Sequence, residues 1–188
     1  MSEEVIKKKR VNSKAKGGGF ENKVCKILTE ALPPMQFRRS QSSGAILGGV
    51  NSRFMHRYSN AAASLFVGDV VPTNEEDVFK DHGWKLRFSL ECKFYKECDS
   101  FDMLFKPNTQ IRGWFEQAST DAQKVSKEPL LIFKFNRTET YCGVDTITTK
   151  PPKNTSATLT MVYNEPYRSI TVFLLKEALL DLDWWKVS

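Results

Sequence analysis

Glu91 and Lys93 stand two residues apart in the run SLECKFYK, residues 89–96. On an extended strand such a pair projects from one face, because side chains alternate with a period of two. A carboxylate and an ammonium placed this way can decorate a solvated surface. They can equally share a site in which the acid holds a hard cation and the lysine steadies an anion or orients a water. Whether they do depends on other acids in unusual settings, and the chain has two. Asp69 lies in SLFVGDVVP, an apolar segment, beside a glycine that permits close backbone approach. Glu21 falls inside a helical arc of Phe20, Val24, Cys25, Ile27, Leu28, Ala31 and Leu32. A lone buried carboxylate costs several kcal/mol, so Glu21 predicts a cationic partner facing the core. Each acid also has a plainer reading. Glu21 suits the first turn of a helix, where the dipole favours an acid, and Asp69 suits a turn between two short strands. Taken together, Glu21, Asp69 and Glu91 with Lys93 form an oxygen-rich set of the kind that binds Mg²⁺. A divalent ion so held promotes attack of water on a phosphodiester and stabilises the leaving oxygen.

These side chains need elements to hold them. A helix is predicted from about residue 20 to 32, stopped by Pro33 and Pro34. A short strand over 35–39 and a small-residue loop follow, then a strand over about 65–71. Residues 72–83, PTNEEDVFKDHG, read as a polar connection ending in a turn. The longest alternating strand runs from Trp84 to Lys96. It puts Trp84, Leu86, Phe88, Leu90, Cys92 and Phe94 on one face, and Lys85, Arg87, Ser89, Glu91, Lys93 and Tyr95 on the other. A helix over about 109–126 and the buried strand LLIFKFN come next. Two strands within 139–149 and 157–163 precede a strand that turns into a final helix. This order predicts an α/β fold with a central mixed β-sheet flanked by helices. Asp81, in the turn-like DHG, is an alternative to Asp69 as a metal ligand, although LFVGDVV reads more like core.

The chain has 188 residues, enough for one domain with a proper core. No apolar run approaches the ~20 residues of a membrane-spanning helix, so no membrane partner is expected. The charged stretch from Glu3 to Arg10 lacks the apolar segment of a secretory signal, which predicts a cytoplasmic protein. Cys25, Cys92, Cys98 and Cys142 show no paired spacing and read as free thiols. A zinc site from Cys92, Cys98, Cys142 and His82 is disfavoured for the same reason.

The net charge is +6, unevenly spread. Lys7, Lys8, Lys9, Arg10, Lys14 and Lys16 face only Glu3 and Glu4 within residues 1–19, which predicts a mobile basic arm with GGG at 17–19 as its joint. Between Glu30 and Asp69 there is no acid, yet Arg38, Arg39, Arg53 and Arg57 lie there with His56. A long acid-free window with four arginines points to a polyanion, usually nucleic acid.

GGGFENKVCKIL, VGDVV and SLECKFYK together resemble the PD-(D/E)xK nuclease superfamily, and within it the archaeal-type Holliday junction resolvases and their phage relatives. The likeness spans about residues 17–137 and includes QASTDAQK, PLLIFKFNR and RRSQSSGA. It implies a restriction-endonuclease-like core over about 20–137 within one nuclease domain, 20–188, with added strands and a helix over 138–188. It implies Mg²⁺, with Mn²⁺ able to substitute, held by Glu21, Asp69, Glu91 and the Cys92 carbonyl. Lys93 would orient the attacking water and Gln117 would support the site from its helix. Arg38, Arg39 and Ser42 would contact phosphates, joined by Arg53, Arg57, Lys8, Lys9, Arg10 and Lys16. The expected partner is branched DNA, the expected assembly a homodimer, and the compartment a cytoplasm, that of the host if a phage encodes the chain. Other substrates on the same core are flaps, single strands or specific duplex sites. A DNA-binding module without catalysis is the reading from another class. Gly68 stands where the motif name has proline, and the segment 44–66 is longer than in compact resolvases. Trp184 and Trp185 are expected to pack on the core.

Overall fold

The computed structural model describes residues 13–40, 66–98, 110–164 and 167–188. Helix α1 spans Ser13–Ala31 and is followed by strand β1, Phe37–Arg39. Strand β2 covers Val70–Pro72, helix α2 Glu75–His82, β3 Lys85–Leu86 and β4 Phe88–Tyr95. Helix α3, Gln110–Lys124, leads to β5, Glu128–Phe135, and β6, Thr140–Asp145. Strands β7, Leu159–Asn164, and β8, Tyr167–Leu174, run into a short helix α4, Leu175–Ala178. A 3₁₀ turn at Leu182–Trp185 and strand β9, Lys186–Val187, complete the order.

Seven strands form one mixed sheet in the order β1-β2-β4-β5-β6-β8-β7. Strands β4 and β5 are parallel, with Glu91 opposite Leu131 and Lys93 opposite Phe133, and α3 makes the crossover between them. The other neighbouring strands are antiparallel. Alternation along the central strands sorts the core into two layers. Leu90, Cys92, Leu130 and Ile132 pack with Phe20, Val24 and Leu28 of α1 and with the C-terminal Ala178, Trp184 and Trp185. Leu131, Phe133 and Phe135 pack on the opposite face with Ile111, Trp114 and Phe115 of α3. Helices therefore cover the sheet on both sides, as expected of an α/β core. Trp185 is fully buried and donates its indole N–H to the Ala178 carbonyl at 2.8 Å, so the terminal tryptophans belong to the core.

Four local expectations change. The glycine triplet is not a joint among the described residues, because α1 begins at Ser13 and runs through it. Gly18 faces the Arg39 guanidinium, 2.9 Å from where a Cβ would stand, the mobile end of a side chain that can move aside. The segment expected as a polar connection is helix α2, with acids Glu75, Glu76 and Asp77 in its first turn, Lys80 and His82 in its last, and Gly83 at φ 72° as its C-terminal stop. The strand expected to start near residue 65 starts at Val70. The long strand from Trp84 breaks at Arg87, whose N–H goes to the Trp185 carbonyl at 2.9 Å while its own carbonyl accepts from Glu128 N–H at 3.1 Å.

Candidate active site

The site forms where β2 parts from β4. The ladder between them holds at Val70 opposite Leu90, and the next residues along, Asp69 and Glu91, meet across the widening gap. Asp69 is fixed through its backbone. Its N–H donates to the Leu90 carbonyl at 2.8 Å and its carbonyl accepts from Ser40 N–H at 2.9 Å. Gly68 makes this approach possible: at φ 93°, a Cβ would stand 2.7 Å from the Leu90 oxygen. The Asp69 carboxylate then takes the place of a ladder partner, accepting the Cys92 N–H on Oδ2 at 2.9 Å.

Glu91 is buried, and its Oε1 accepts two hydrogen bonds, from Lys93 Nζ at 2.5 Å and from Gln117 Nε2 at 2.7 Å. The Glu91–Lys93 pair thus sits on one face as alternation requires, but that face is covered by α3 and is not a solvated surface. Gln117, itself exposed on α3, reaches Glu91 directly. Glu21 does have a cationic partner, Arg39, whose Nε donates to Oε2, but that partner lies at the exposed rim and does not face the core.

A cavity of about 260 Å³ is lined by Glu21, Gly68, Asp69, Glu91, Cys92, Lys93, Gln117 and Asp121. Acids outnumber bases in that lining. Burial, reinforced by the Asp69 charge, pushes the Glu91 carboxyl up to about 8, against the pull of Lys93. Burial works against the Lys93 ammonium too, yet the Glu91 and Asp69 carboxylates outweigh it and hold its pKa above the ordinary value. Burial likewise raises the Cys92 thiol well above its usual range, and its side chain packs in the core cluster with Leu90 and Ile132.

Asp121 went unrecognised in the sequence. It follows Gln117 by one helical turn, lines the same cavity, and pairs with Lys124 Nζ at 2.5 Å. The i, i+4, i+7 spacing of Gln117, Asp121 and Lys124 was the available signal. Asp81 does not line the cavity and is exposed near the end of α2. Lys16 donates to Asn136 Oδ1 at 2.7 Å and lies 4.5 Å from the centre of the Phe94 ring. Arg38 Nη1 lies 3.5 Å from the Arg39 carbonyl. Ser42, Arg53, Arg57, Lys8, Lys9 and Arg10 fall outside the described residues.

Among the described residues, no three His, Cys, Asp or Glu side chains already form a metal-binding cluster, which holds for the cysteines as for the acids. Cys98 is exposed while Cys92 and Cys142 are buried. The donor chemistry of the cavity nevertheless fits a hard divalent cation. Two carboxylates, those of Asp69 and Glu91, are held together against their mutual repulsion, and the volume leaves room for the waters such an ion keeps.

Among the described residues, no helix is long and apolar enough to cross a membrane. A model of the family described as "Phage putative PDDEXK endonuclease" matches residues 12–181. No curated protein and no solved structure matches the chain.

Proposed function

We propose, since the chain belongs to the phage putative PDDEXK endonuclease family, that it is a divalent-metal-dependent DNA endonuclease selective for branched structure, acting as a Holliday junction resolvase does. The observation that carries this reading is the buried Glu91 carboxylate, set against Asp69 and gripped by Lys93 and Gln117 in an acid-lined cavity.

Asp69 and Glu91, with the Cys92 carbonyl, would hold Mg²⁺ or Mn²⁺, and Glu21 would complete the acidic wall from α1. The ion would supply charge to the phosphodiester oxygens and lower the pKa of water. The chain's own groups do the positioning. Lys93 stays protonated beside the carboxylates and can orient a water or hold a phosphate oxygen. Gln117 fixes the Glu91 carboxylate from the helix side. Arg39, tied to Glu21 at the rim, offers a guanidinium to a neighbouring phosphate, as would Arg38, Ser42, Arg53 and Arg57. Lys8, Lys9, Arg10 and Lys16 would add sequence-independent attraction. Two copies, each making one cut, would suit a symmetric four-way junction.

The test is a parallel digestion of a four-way junction, a flap, linear duplex and single strand in Mg²⁺. Paired cuts in the junction, well ahead of the other three, support the reading. Preference for flaps or single strands would move the substrate class. Binding without cleavage of any of them, in Mg²⁺ or Mn²⁺, would leave a DNA-binding module.

A further inference from the structure

Strand β4 carries more on its reactive face than two charged residues. The next side chain on that face after Glu91 and Lys93 is Tyr95. Exposure rises along it: 3% for the Glu91 side chain, 20% for that of Lys93, and 44% for Tyr95. The face therefore opens toward the C-terminal end of the strand, and Tyr95 stands at the opening.

The ring is exposed but backed. Its centroid lies 4.8 Å from that of Trp114, tilted by 43°. Trp114 is itself buried and packs against Phe133 and Phe135 at 6.2 and 6.1 Å. It precedes Gln117 by one turn of α3, so the helix face that grips Glu91 also supports Tyr95. The acidic cavity and the exposed ring are thus two stations of one rigid β4–α3 pair. Tyr95 lies two steps along the strand from Lys93, about 7 Å.

Cations stand at the same end of the sheet. Arg137 is exposed in the β5–β6 turn at φ 62°, while Lys96, next to Tyr95, is paired with Glu97 at 2.9 Å. Lys16 reaches the neighbouring Asn136, whose amide leaves the ammonium charge uncancelled. A ligand suited to both features is an anionic chain that carries flat rings. Nucleobases stack on aromatic side chains with little regard to sequence. In an intact duplex their faces are already covered by neighbouring bases, so only an unpaired base can be received.

We propose that Tyr95, backed by Trp114, is a stacking platform for one unpaired base beside the scissile phosphate. The substrate class is then DNA with a splayed nucleotide next to the cut. This rests on the nuclease reading above and names what that site selects.

The experiment uses the full chain and a branched DNA whose cut has been mapped in Mg²⁺. 2-Aminopurine is placed singly at each nucleotide within two of that cut, and its fluorescence is read in Ca²⁺. One flanking position is expected to be quenched by the wild type and by Tyr95→Trp, and not by Tyr95→Ala. Tyr95→Ala is expected to bind the branched DNA about tenfold more weakly and linear duplex unchanged. An abasic site at the quenched position should reproduce that loss in the wild type and add nothing in Tyr95→Ala. Equal losses on branched and linear DNA, or no position quenched, would overturn the platform. If the wild type cuts nothing, probes are placed at every nucleotide around the branch point. Tyr95-dependent quenching would then uphold the platform while the nuclease reading falls.

Discussion

Two cavities of this molecule are lined by charge, and they use it to opposite ends. One is the cavity around Asp69 and Glu91. The other, of about 370 Å³, lies between α2, β3 and the start of β5, and its lining includes Glu75, Glu76, Lys85, Arg87, Lys127 and Glu128. In the second region every acid has its own base. Glu75 takes Lys127 at 2.6 Å, Glu76 takes Lys85 at 2.7 Å and Glu128 takes Arg87 at 2.8 Å. Glu75 also accepts the Leu86 N–H at 2.9 Å and Glu128 accepts the Thr149 hydroxyl, so these charges tie segments together. In the first region Asp69 has a backbone N–H and no base among the described residues, while Glu91 competes with it for Lys93. Balanced charge holds a fold together. Unbalanced buried charge waits for something to neutralise it.

The sharpest way to break this contrast is to remove a charge from each region. Glu91→Ala or Lys93→Ala is expected to lower Mg²⁺-dependent cleavage by on the order of 10³-fold, with junction binding in Ca²⁺ and circular dichroism little changed. Full activity in either variant removes the site. Lys127→Met is expected to act on the fold instead. It strands Glu75, which is only 8% exposed, and should cost about 3–5 kcal/mol in urea unfolding. The double variant Glu75→Gln/Lys127→Met should recover much of that loss, and a double variant no better than the single one would show that the pair is not a balanced unit.

Smaller effects refine the picture. Gln117→Ala frees one of the two bonds on Glu91 Oε1 and is expected to reduce kcat by about 10–100-fold. A change in KM alone would mean that Gln117 touches DNA and does not set Glu91. The smallest effect concerns stability without metal. Because the folded-state pKa of Glu91 is raised to about 8, the native state holds a proton that the unfolded chain has released. That group contributes no penalty below its ordinary carboxylate range, and an increasing one as pH rises toward 8. In EDTA, Glu91→Gln is therefore expected to be more stable than the wild type in urea unfolding at pH 8 and little different at pH 4. A loss at pH 8 would mean that Lys93 already balances the site.

Much of the site could be read from the chain, because its acids sat where acids are costly. Asp69 in an apolar segment, Glu21 in an apolar arc and Glu91 on the long strand all line one cavity. The α/β order and the central mixed sheet were legible too, since alternation and helical periodicity differ clearly over long segments. What escaped notice lay in polar stretches. Helix α2 buries only Glu75 and Val78, so its apolar signal was nearly absent, although its terminal charges and Gly83 marked both ends. Asp121 looked like any polar residue on a helix surface. The triplet at 17–19 predicts a joint, whereas helix α1, held to the sheet through Phe20, Val24 and Leu28, continues through it, a tertiary fact that no local pattern carries. Burial on both faces of β4 likewise required α1 and α3 to be placed first.

The single register pair between β2 and β4 has a consequence for how this enzyme would fail under heat. Glu91, Lys93 and Gln117 all lie within the strongly paired β4–α3–β5 unit, whereas Asp69 hangs from a three-residue strand with one register pair to β4, Val70–Leu90, and is tied to that strand beyond it only by its own N–H and its carboxylate. Opening of that margin is a local event with a smaller free energy than global unfolding. Inactivation would then precede melting, with hydrogen exchange at Asp69 and Cys92 amides quickening while β5 stays protected. The durability of the activity would be that of the sheet's thinnest seam, not that of its core.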